Sequence, residues 1–164
     1  MKKIIFLLTA GTFMMVACND ASKTETSKMS TTDSTSFDLS KAKADIEADN
    51  ARFIEQIKKG DSAGLAEHYH SDAQILMSGM EPVNRKDIAG AWGSFLRMGV
   101  KDFKMTTHDV VGNDDLLVET GSYEMIGDKN VVLDKGKYVV AWKKENGLWK
   151  LYRDIANTSM PQTK

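Results

Sequence analysis

The sequence predicts an α+β fold in which helices cover one face of an antiparallel sheet. Apolar residues recur with helical spacing up to about residue 99, and from Lys101 onward they alternate with a period of two. The chain closes with a predicted hairpin, residues 136–157, whose large aromatic face cannot stand alone in water. Because the predicted helices all precede the last four strands, we expect two layers, with the helices covering the aromatic face.

Composition indicates one soluble globular domain. The chain has 164 residues, of which 41% are hydrophobic and 27% charged, and both fractions are typical of such domains. Its formal net charge of -1 argues against nucleic acid as a partner and against electrostatic membrane binding. The single cysteine, Cys18, excludes an intrachain disulfide.

The first 36 residues predict a leader and a tether. Residues 4–17 form an uncharged, mostly apolar run that is too short to span a bilayer and is typical of a secretory signal peptide. The run ends at Cys18 in a pattern that resembles the lipobox of bacterial lipoproteins, with Met15 where leucine is usual. We expect a signal peptide at 1–17, a lipidated Cys18 and a flexible Ser/Thr-rich tether at 18–36. The alternative is an ordinary signal peptide with an incidental cysteine.

The folded domain, residues 37–164, is predicted to begin with helices. The first spans residues 37–59 and ends at Gly60; its apolar stripe comprises Ala42, Ile46, Phe53 and Ile57, with Asn50 inside it. A second helix at 61–69, a turn at 70–72 and a short strand at 74–77 follow. Asn84 caps a third helix, which ends at Gly99.

Four strands are predicted at about residues 101–111, 116–126, 131–144 and 148–157, joined as an antiparallel meander by turns rich in Gly, Asn and Asp. Strict alternation places Trp149, Leu151, Arg153 and Ile155 on the apolar face of the last strand. The same alternation places Lys150, Tyr152 and Asp154 on its solvated face. A curved sheet over helices leaves a hollow, and small ligands favour such concave sites.

Motifs along nearly the whole domain carry a family resemblance. They are Arg52-Phe53, Lys59-Gly60-Asp61, Tyr69, Asp72-Ala73, Arg85-Lys86-Asp87-Ile88, Trp92, Glu119 to Tyr123, Gly136-Lys137-Tyr138, Trp142, Gly147 to Leu151, Arg153-Asp154-Ile155 and Asn157. The chain resembles the nuclear transport factor two-like superfamily, most closely its SnoaL-like and ketosteroid-isomerase-like bacterial members. The resemblance implies a cone-shaped, cystatin-like sheet wrapped on about three helices, an internal cavity, and a homodimer formed through the exposed sheet face.

Two catalytic residues of ketosteroid isomerases have no counterpart at the matching positions. Those enzymes use a tyrosine on the first helix to hold an oxyanion and an aspartate on the first strand as general base, with a neutral acid completing the oxyanion hole. The resemblance puts Phe53 at the tyrosine position and Met77 at the aspartate position. Neither side chain can donate or take the required proton, which argues against steroid-type isomerisation.

The predicted ligand-binding residues are Trp92, Glu119, Tyr123, Tyr138, Trp142 and Arg153. We expect Arg153 to face the hollow with Glu119 as its partner, either holding an anionic ligand or forming a structural ion pair. The aromatic residues either line a pocket or belong to an ordinary core.

His70 and Glu119 are the candidate acid–base residues if the protein is an enzyme. His68, His70 and Asp72 are a weak metal motif. On a helix, the side chains of residues i and i+2 point in directions about 200° apart around the axis, so they cannot hold one ion together. The alternative for each histidine is a solvated surface position. We predict no metal site and no cofactor.

The predicted function is binding of a small molecule in the cavity by a lipid-anchored protein of the bacterial cell envelope. The domain would face the periplasm or the cell exterior, and would contact the membrane through its anchor alone. The alternative is an isomerase, dehydratase or hydrolase that acts on a small organic substrate by acid–base chemistry, without the steroid isomerase mechanism.

Overall fold

The computed structural model describes residues 37–161, and the predicted signal peptide, Cys18 and tether lie outside the described residues. The helices are α1 (Leu39–Lys59), α2 (Ser62–Ala66) and α3 (Ile88–Arg97), with short 3-10 turns at Arg85–Asp87 and Asp128–Asn130. The strands are β1 (Tyr69–Met77), β2 (Val83–Asn84), β3 (Asp102–Gly112), β4 (Leu117–Ile126), β5 (Val132–Glu145) and β6 (Leu148–Thr158). Across residues 37–161, none of the helices combines the length and the apolar character needed to cross a membrane.

The predicted limits and inner face of α1 are confirmed within two residues. The Asp38 side chain caps the helix by accepting from the Lys41 backbone N–H at 3.1 Å. Gly60 ends it in the left-handed conformation, with φ of 69°, which glycine adopts without steric cost. The buried positions of α1 are Ala42, Ile46, Asp49, Asn50, Phe53 and Ile57.

The sheet has the strand order β2-β1-β6-β5-β4-β3, which confirms the predicted α+β class and the antiparallel meander of the last four strands. The predicted turn at residues 70–72 is wrong, because these residues lie inside β1. β1 pairs in parallel with β6, and the register shifts between Tyr69 and Gln74, so residues 70–73 form an irregularity in the pairing. This parallel pair places the first strand of the domain beside its last strand.

The segment before α3 also differs from the prediction. Asn84 makes no cap hydrogen bond; its side-chain oxygen accepts from Gln74 Nε2 at 2.9 Å, across the β1–β2 pair. The chain therefore passes through a 3-10 turn, and α3 begins at Ile88. The second helix likewise ends at Ala66, before the predicted Tyr69.

A β-bulge at Tyr152 reverses the faces of the second half of β6. Trp142 pairs with Leu151 and Ala141 pairs with Arg153, so Tyr152 is an extra residue with no partner on β5. A slip of one residue moves every later side chain to the other face of a sheet. Asp154 therefore points inward, and Ile155, predicted on the apolar face, is exposed.

The core lies between the helices and the concave face of the sheet. Its most completely buried side chains include Ile46 and Ile57 of α1, Ile88 of α3, and Trp142 of β5. Burying one such apolar side chain stabilises the fold by about 1.5–3 kcal/mol. This packing holds α1 and α3 over the sheet and leaves a cavity between them.

Candidate functional site

A cavity of about 50 Å³ lies between α1, α3 and the concave face of the sheet. It is lined by Asn50, Phe53, Ile75, Met77, Trp92, Phe95, Phe103, Met105, Tyr123, Met125, Tyr138, Val140, Leu151, Asp154 and Ala156. A single water molecule occupies roughly 10–15 Å³, so the cavity has room for more than one water. Most of the lining is aromatic or aliphatic, and its few polar groups therefore decide what it can recognise.

Asp154 is the ionisable carboxyl group of this lining, and two side chains hold it in place. Tyr69 Oη donates a hydrogen bond to Asp154 Oδ2 at 2.6 Å. Trp92 Nε1 donates in turn to Tyr69 Oη at 3.2 Å. Tyr69 is 2% exposed, so water does not compete for its hydroxyl group. The carboxyl group is therefore fixed on one side by a chain of donors from β1 and α3.

The other carboxyl oxygen, Oδ1, has no hydrogen-bond partner among the described residues. In residues 37–161, every fully buried side-chain oxygen or nitrogen has a hydrogen-bond partner. Because Oδ1 has none, it is not fully buried and must face open space. The open space that Asp154 lines is the cavity. Burial raises the pKa of Asp154 to about 6; the hydrogen bond from Tyr69 opposes the shift, and the charge of Glu119 adds to it. Asp154 therefore changes charge close to neutral pH.

Glu119 lies behind the cavity wall, fully buried, and accepts four hydrogen bonds from neutral donors. Its Oε1 accepts from Asn50 Nδ2 at 2.9 Å, Thr107 Oγ1 at 2.6 Å and Tyr138 Oη at 2.8 Å. Its Oε2 accepts from Trp142 Nε1 at 3.0 Å. These donors come from α1, β3 and β5, so Glu119 joins one helix to three adjacent strands and orients two residues of the cavity lining, Asn50 and Tyr138.

Two cavity tyrosines lie over glycines of the neighbouring strand. Tyr138 pairs with Gly121, and Tyr123 pairs with Gly136. A Cβ atom on Gly121 would come within 2.3 Å of the Tyr138 ring and 2.5 Å of the Thr106 carbonyl oxygen. Both tyrosine rings therefore depend on the absence of a side chain across the strand pair.

Gly121→Ala is expected to lower the free energy of unfolding by about 2 kcal/mol, because the added methyl group must displace the Tyr138 ring or the β3 backbone. Urea denaturation of the purified protein measures the loss. Gly90→Ala in α3 is the matched control, since nothing lies within 4 Å of its Cβ position, and it should stabilise the helix by about 0.5–1 kcal/mol. Equal stability of the two variants would contradict this account of Gly121.

The structure places three of the predicted ligand-binding residues, Trp92, Tyr123 and Tyr138, in the cavity lining. Trp142 and Glu119 are fully buried and lie behind the lining, where they bond to each other. The predicted pairing of Glu119 with Arg153 is therefore wrong, because neutral donors occupy both oxygens of Glu119.

The predicted placement of Arg153 in the cavity is also wrong, because the Tyr152 bulge turns it to the outer face of the sheet. Its guanidinium donates to the carbonyl oxygens of Asp72 and Tyr152 at 2.9 and 2.8 Å and stacks 3.8 Å from the centre of the Tyr152 ring. Lys143 Nζ lies 4.2 Å from the centre of the same ring. The two cations and the aromatic ring form an outer-surface cluster, and none of these three side chains lines the cavity.

The two histidines differ from their predictions. His70, a candidate acid–base residue, does not line the cavity; its ring packs edge-on against Tyr152, and its Nδ1 accepts from the Asp72 backbone N–H. His68 is not solvated but 6% exposed, with Nδ1 2.7 Å from Asp49 Oδ2 and Nε2 2.6 Å from Gln56 Oε1. Across residues 37–161 no group of three or more side chains is arranged to hold a metal ion.

Sequence reasoning missed Asp154 and Tyr69 as site residues. Strict alternation predicts Asp154 on the solvated face, and no local signal in the sequence marks the bulge that turns it inward. Asn50 gave a usable signal, because a polar residue inside the apolar stripe of a helix predicts a buried group that needs a partner. That partner is Glu119, 69 residues further along the chain.

Comparison with known proteins identifies the fold. A protein-family model described as a SnoaL-like domain matches residues 50–152. A domain of unknown function with a cystatin-like fold from Nostoc punctiforme shares 14% identity over 76% of this chain and 81% of its own, with a TM-score of 0.65. A ketosteroid isomerase-like protein from Erwinia carotovora atroseptica shares 19% identity over 72% and 96%, with a TM-score of 0.59. An NTF-2-like protein of unknown function from Shewanella oneidensis shares 15% over 70% and 98%, with a TM-score of 0.60. No curated protein matches the chain.

Proposed function

Because the chain belongs to the SnoaL-like domain family, whose members have ligand-binding cavities or enzyme roles, we propose that its cavity binds a small, mainly apolar molecule with Asp154 as the polar anchor. The observation that carries this proposal is the unpaired Oδ1 of Asp154 at the wall of a mainly apolar cavity. An unpartnered polar atom in such a place costs free energy that a ligand hydrogen bond would recover. Apolar pockets with a few polar groups are the usual form of small-molecule sites.

The size of the cavity limits how a ligand enters. At about 50 Å³ it is smaller than the cavity of 150 Å³ that accommodates benzene in an engineered protein core. Met77, Met105 and Met125 line it, and each is only partly buried. Methionine side chains are unbranched and adapt to irregular shapes. We propose that these methionines change rotamer to widen the cavity when the ligand binds.

A steric block of the cavity is expected to abolish ligand binding. Ala156→Phe places a ring in the space beside Asp154, while Ile155→Phe, the matched control, adds a ring on the exposed face of the same strand. The ligands are small molecules released from the purified parent protein by denaturation and identified by mass spectrometry, supplemented by a panel of small organic compounds. Thermal shifts and the NMR signal of the Trp92 indole N–H report binding. Ligand-induced thermal and NMR shifts that are as large in Ala156→Phe as in Ile155→Phe would overturn the proposal.

The second candidate is an enzyme in which Asp154 is the acid–base group. The observation that favours it is the pKa of Asp154, raised by burial to about 6, since an efficient general base or acid titrates near the working pH. In this role Asp154 replaces both His70 and Glu119, neither of which lines the cavity. Incubation with small ketones in D₂O tests it, because proton abstraction beside a carbonyl group exchanges hydrogen for deuterium. Exchange that is equal in the parent and in Asp154→Asn would eliminate this candidate.

We also propose that the protein is anchored in the bacterial cell envelope through lipidated Cys18, on the pattern of residues 4–18 described above. Cys18→Ser is expected to move most of the protein from the membrane fraction to the soluble fraction of a bacterial host. Incorporation of labelled palmitate into the parent but not into Cys18→Ser provides the independent measurement. Equal membrane association of the two proteins would contradict lipidation.

A further inference from the structure

The hydrogen-bond chain behind Asp154 has one permitted direction. The indole N–H of Trp92 can only donate, so Tyr69 Oη is the acceptor of the bond between them. The Tyr69 proton then points away from Trp92 and toward Asp154 Oδ2, which lies 2.6 Å away. Asp154 Oδ2 is thus held as an acceptor, whatever the charge of the carboxyl group. A proton that binds to Asp154 must then sit on the remaining oxygen, Oδ1.

We propose that Trp92 and Tyr69 are positioning residues that keep any proton of Asp154 on its cavity-facing Oδ1, so that the cavity offers a ligand an O–H donor when Asp154 is protonated and a carboxylate acceptor when it is ionised. The proposal rests on ligand binding in the cavity, as proposed above. It names two ligand classes: a small neutral carbonyl compound for the protonated state, and a small neutral compound with one N–H or O–H for the ionised state.

The side chains around Asp154 support its role as the group that switches between donor and acceptor. Tyr69 from β1, Tyr138 from β5 and Glu119 from β4 are the titratable groups that interact with it, and the uncharged Asn50 of α1 and Trp92 of α3 share its cavity wall. Burial and the nearby carboxylates raise the pKa of both tyrosines, so they keep their protons. Tyr138 donates its proton to Glu119 and offers the cavity only lone pairs. Asp154 is therefore the group of this set that switches from donor to acceptor as the pH rises through about 6.

Two neutral ring compounds can distinguish protonated from ionised Asp154. Cyclobutanone can only accept a hydrogen bond and pyrrole can only donate one, and neither changes charge between about pH 4.5 and pH 8. NMR titration of the purified protein, followed at the Trp92 indole N–H signal, gives both affinities. We expect the ratio of cyclobutanone to pyrrole affinity to fall by about tenfold or more from the lower to the higher pH, the size of one net hydrogen bond. A ratio that does not change with pH would overturn the proposal.

Asp154→Asn tests the direction imposed by Tyr69. Its amide oxygen can take the hydrogen bond from Tyr69, and its N–H₂ group then faces the cavity, which reproduces the protonated state at every pH. We expect this variant to prefer cyclobutanone throughout, and the preference to shrink severalfold when Tyr69→Phe is added, because the amide can then rotate. A preference that is unchanged by Tyr69→Phe would show that Tyr69 does not position the group.

Infrared spectroscopy tests the position of the proton without a ligand. At about pH 4.5 the carbonyl band of protonated Asp154, assigned by subtraction of Asp154→Asn, should lie at low frequency because Oδ2 accepts from Tyr69. It should move to higher frequency in Tyr69→Phe. If neither ring binds at any pH while the band behaves in this way, cavity binding fails and the proton position stands. A band at the same frequency in the parent and in Tyr69→Phe would refute the proton position itself.

Discussion

Glu119→Ala is expected to lower the free energy of unfolding by about 4 kcal/mol or more, because it leaves three buried donors and one part-buried donor without an acceptor, and each buried donor costs about 1–3 kcal/mol. Small domains are stable by only about 5–15 kcal/mol, so the variant should be largely unfolded in mild urea. Chemical denaturation followed by tryptophan fluorescence measures the loss. Glu124→Ala, on the outer face of the same strand, is the control, and its exposed ion pair with Lys104 should be worth less than about 1 kcal/mol.

Glu119→Gln tests the same network with a side chain of the same shape. Its amide oxygen can still accept from Asn50, Thr107 and Tyr138, but its amide nitrogen then faces the indole N–H of Trp142. We expect a smaller loss of about 2 kcal/mol, which corresponds to one broken hydrogen bond and an unsatisfied donor. Adding Trp142→Phe removes the opposing donor, so the double variant should lose less than the sum of the two single losses. Strict additivity, or a Glu119→Ala protein as stable as the parent, would refute this account of the network.

Asp154→Asn is expected to stabilise the protein at neutral and higher pH, by up to roughly 3 kcal/mol near pH 8, and to change its stability little near pH 4. The pKa of Asp154 is about 6 in the folded protein, against an ordinary value of 3.8. The folded state therefore binds the proton more tightly than the unfolded state, and the stability of the parent falls as pH rises through this window. A difference of two pKa units corresponds to roughly 3 kcal/mol, and the amide variant avoids this cost because it never ionises.

The difference in unfolding free energy between Asp154→Asn and the parent, measured by urea denaturation at several pH values, isolates this group from the others that titrate. Asp72→Asn is the control, since Asp72 is exposed and its side chain makes no hydrogen bond in the described structure. Its difference from the parent should stay within about 0.5 kcal/mol at every pH. A stabilisation by Asp154→Asn that is the same near pH 4 as near pH 8 would mean that ionisation of Asp154 is not its cause.

Alternation alone predicted the inner faces of two central strands. A period of two groups Glu119 with Tyr123 on β4 and Tyr138 with Trp142 on β5, and all four side chains are buried. It worked there because the pairing between Leu117–Met125 and Asp134–Trp142 runs without a break. A side chain's face follows from parity only while the register is unbroken.

In the last strand, β6, strict alternation does not predict which face of the sheet a side chain occupies. Tyr152 is the extra residue of a bulge, and its ring packs on the outer face between Lys143 and Arg153, with the His70 ring at its edge. Lys143 comes from β5, the strand just before β6, but His70 comes from β1, so part of the packing around Tyr152 on the outer face arises between strands that are distant in the sequence. Because of the bulge, Asp154 faces the cavity instead of Arg153. The cavity wall therefore carries a carboxyl group where alternation predicted a cation.

The order of helices and strands, the inner stripe of α1 and the apolar faces of β4 and β5 follow from the sequence alone, because local periodicity and burial determine them. The identity of the polar group in the cavity was decided by tertiary structure, because the bulge and the Trp92–Tyr69–Asp154 chain join α3, β1 and β6, which meet only in the folded protein. A single unpaired residue in one strand changes no composition and little local pattern, yet it selects which side chain faces the cavity.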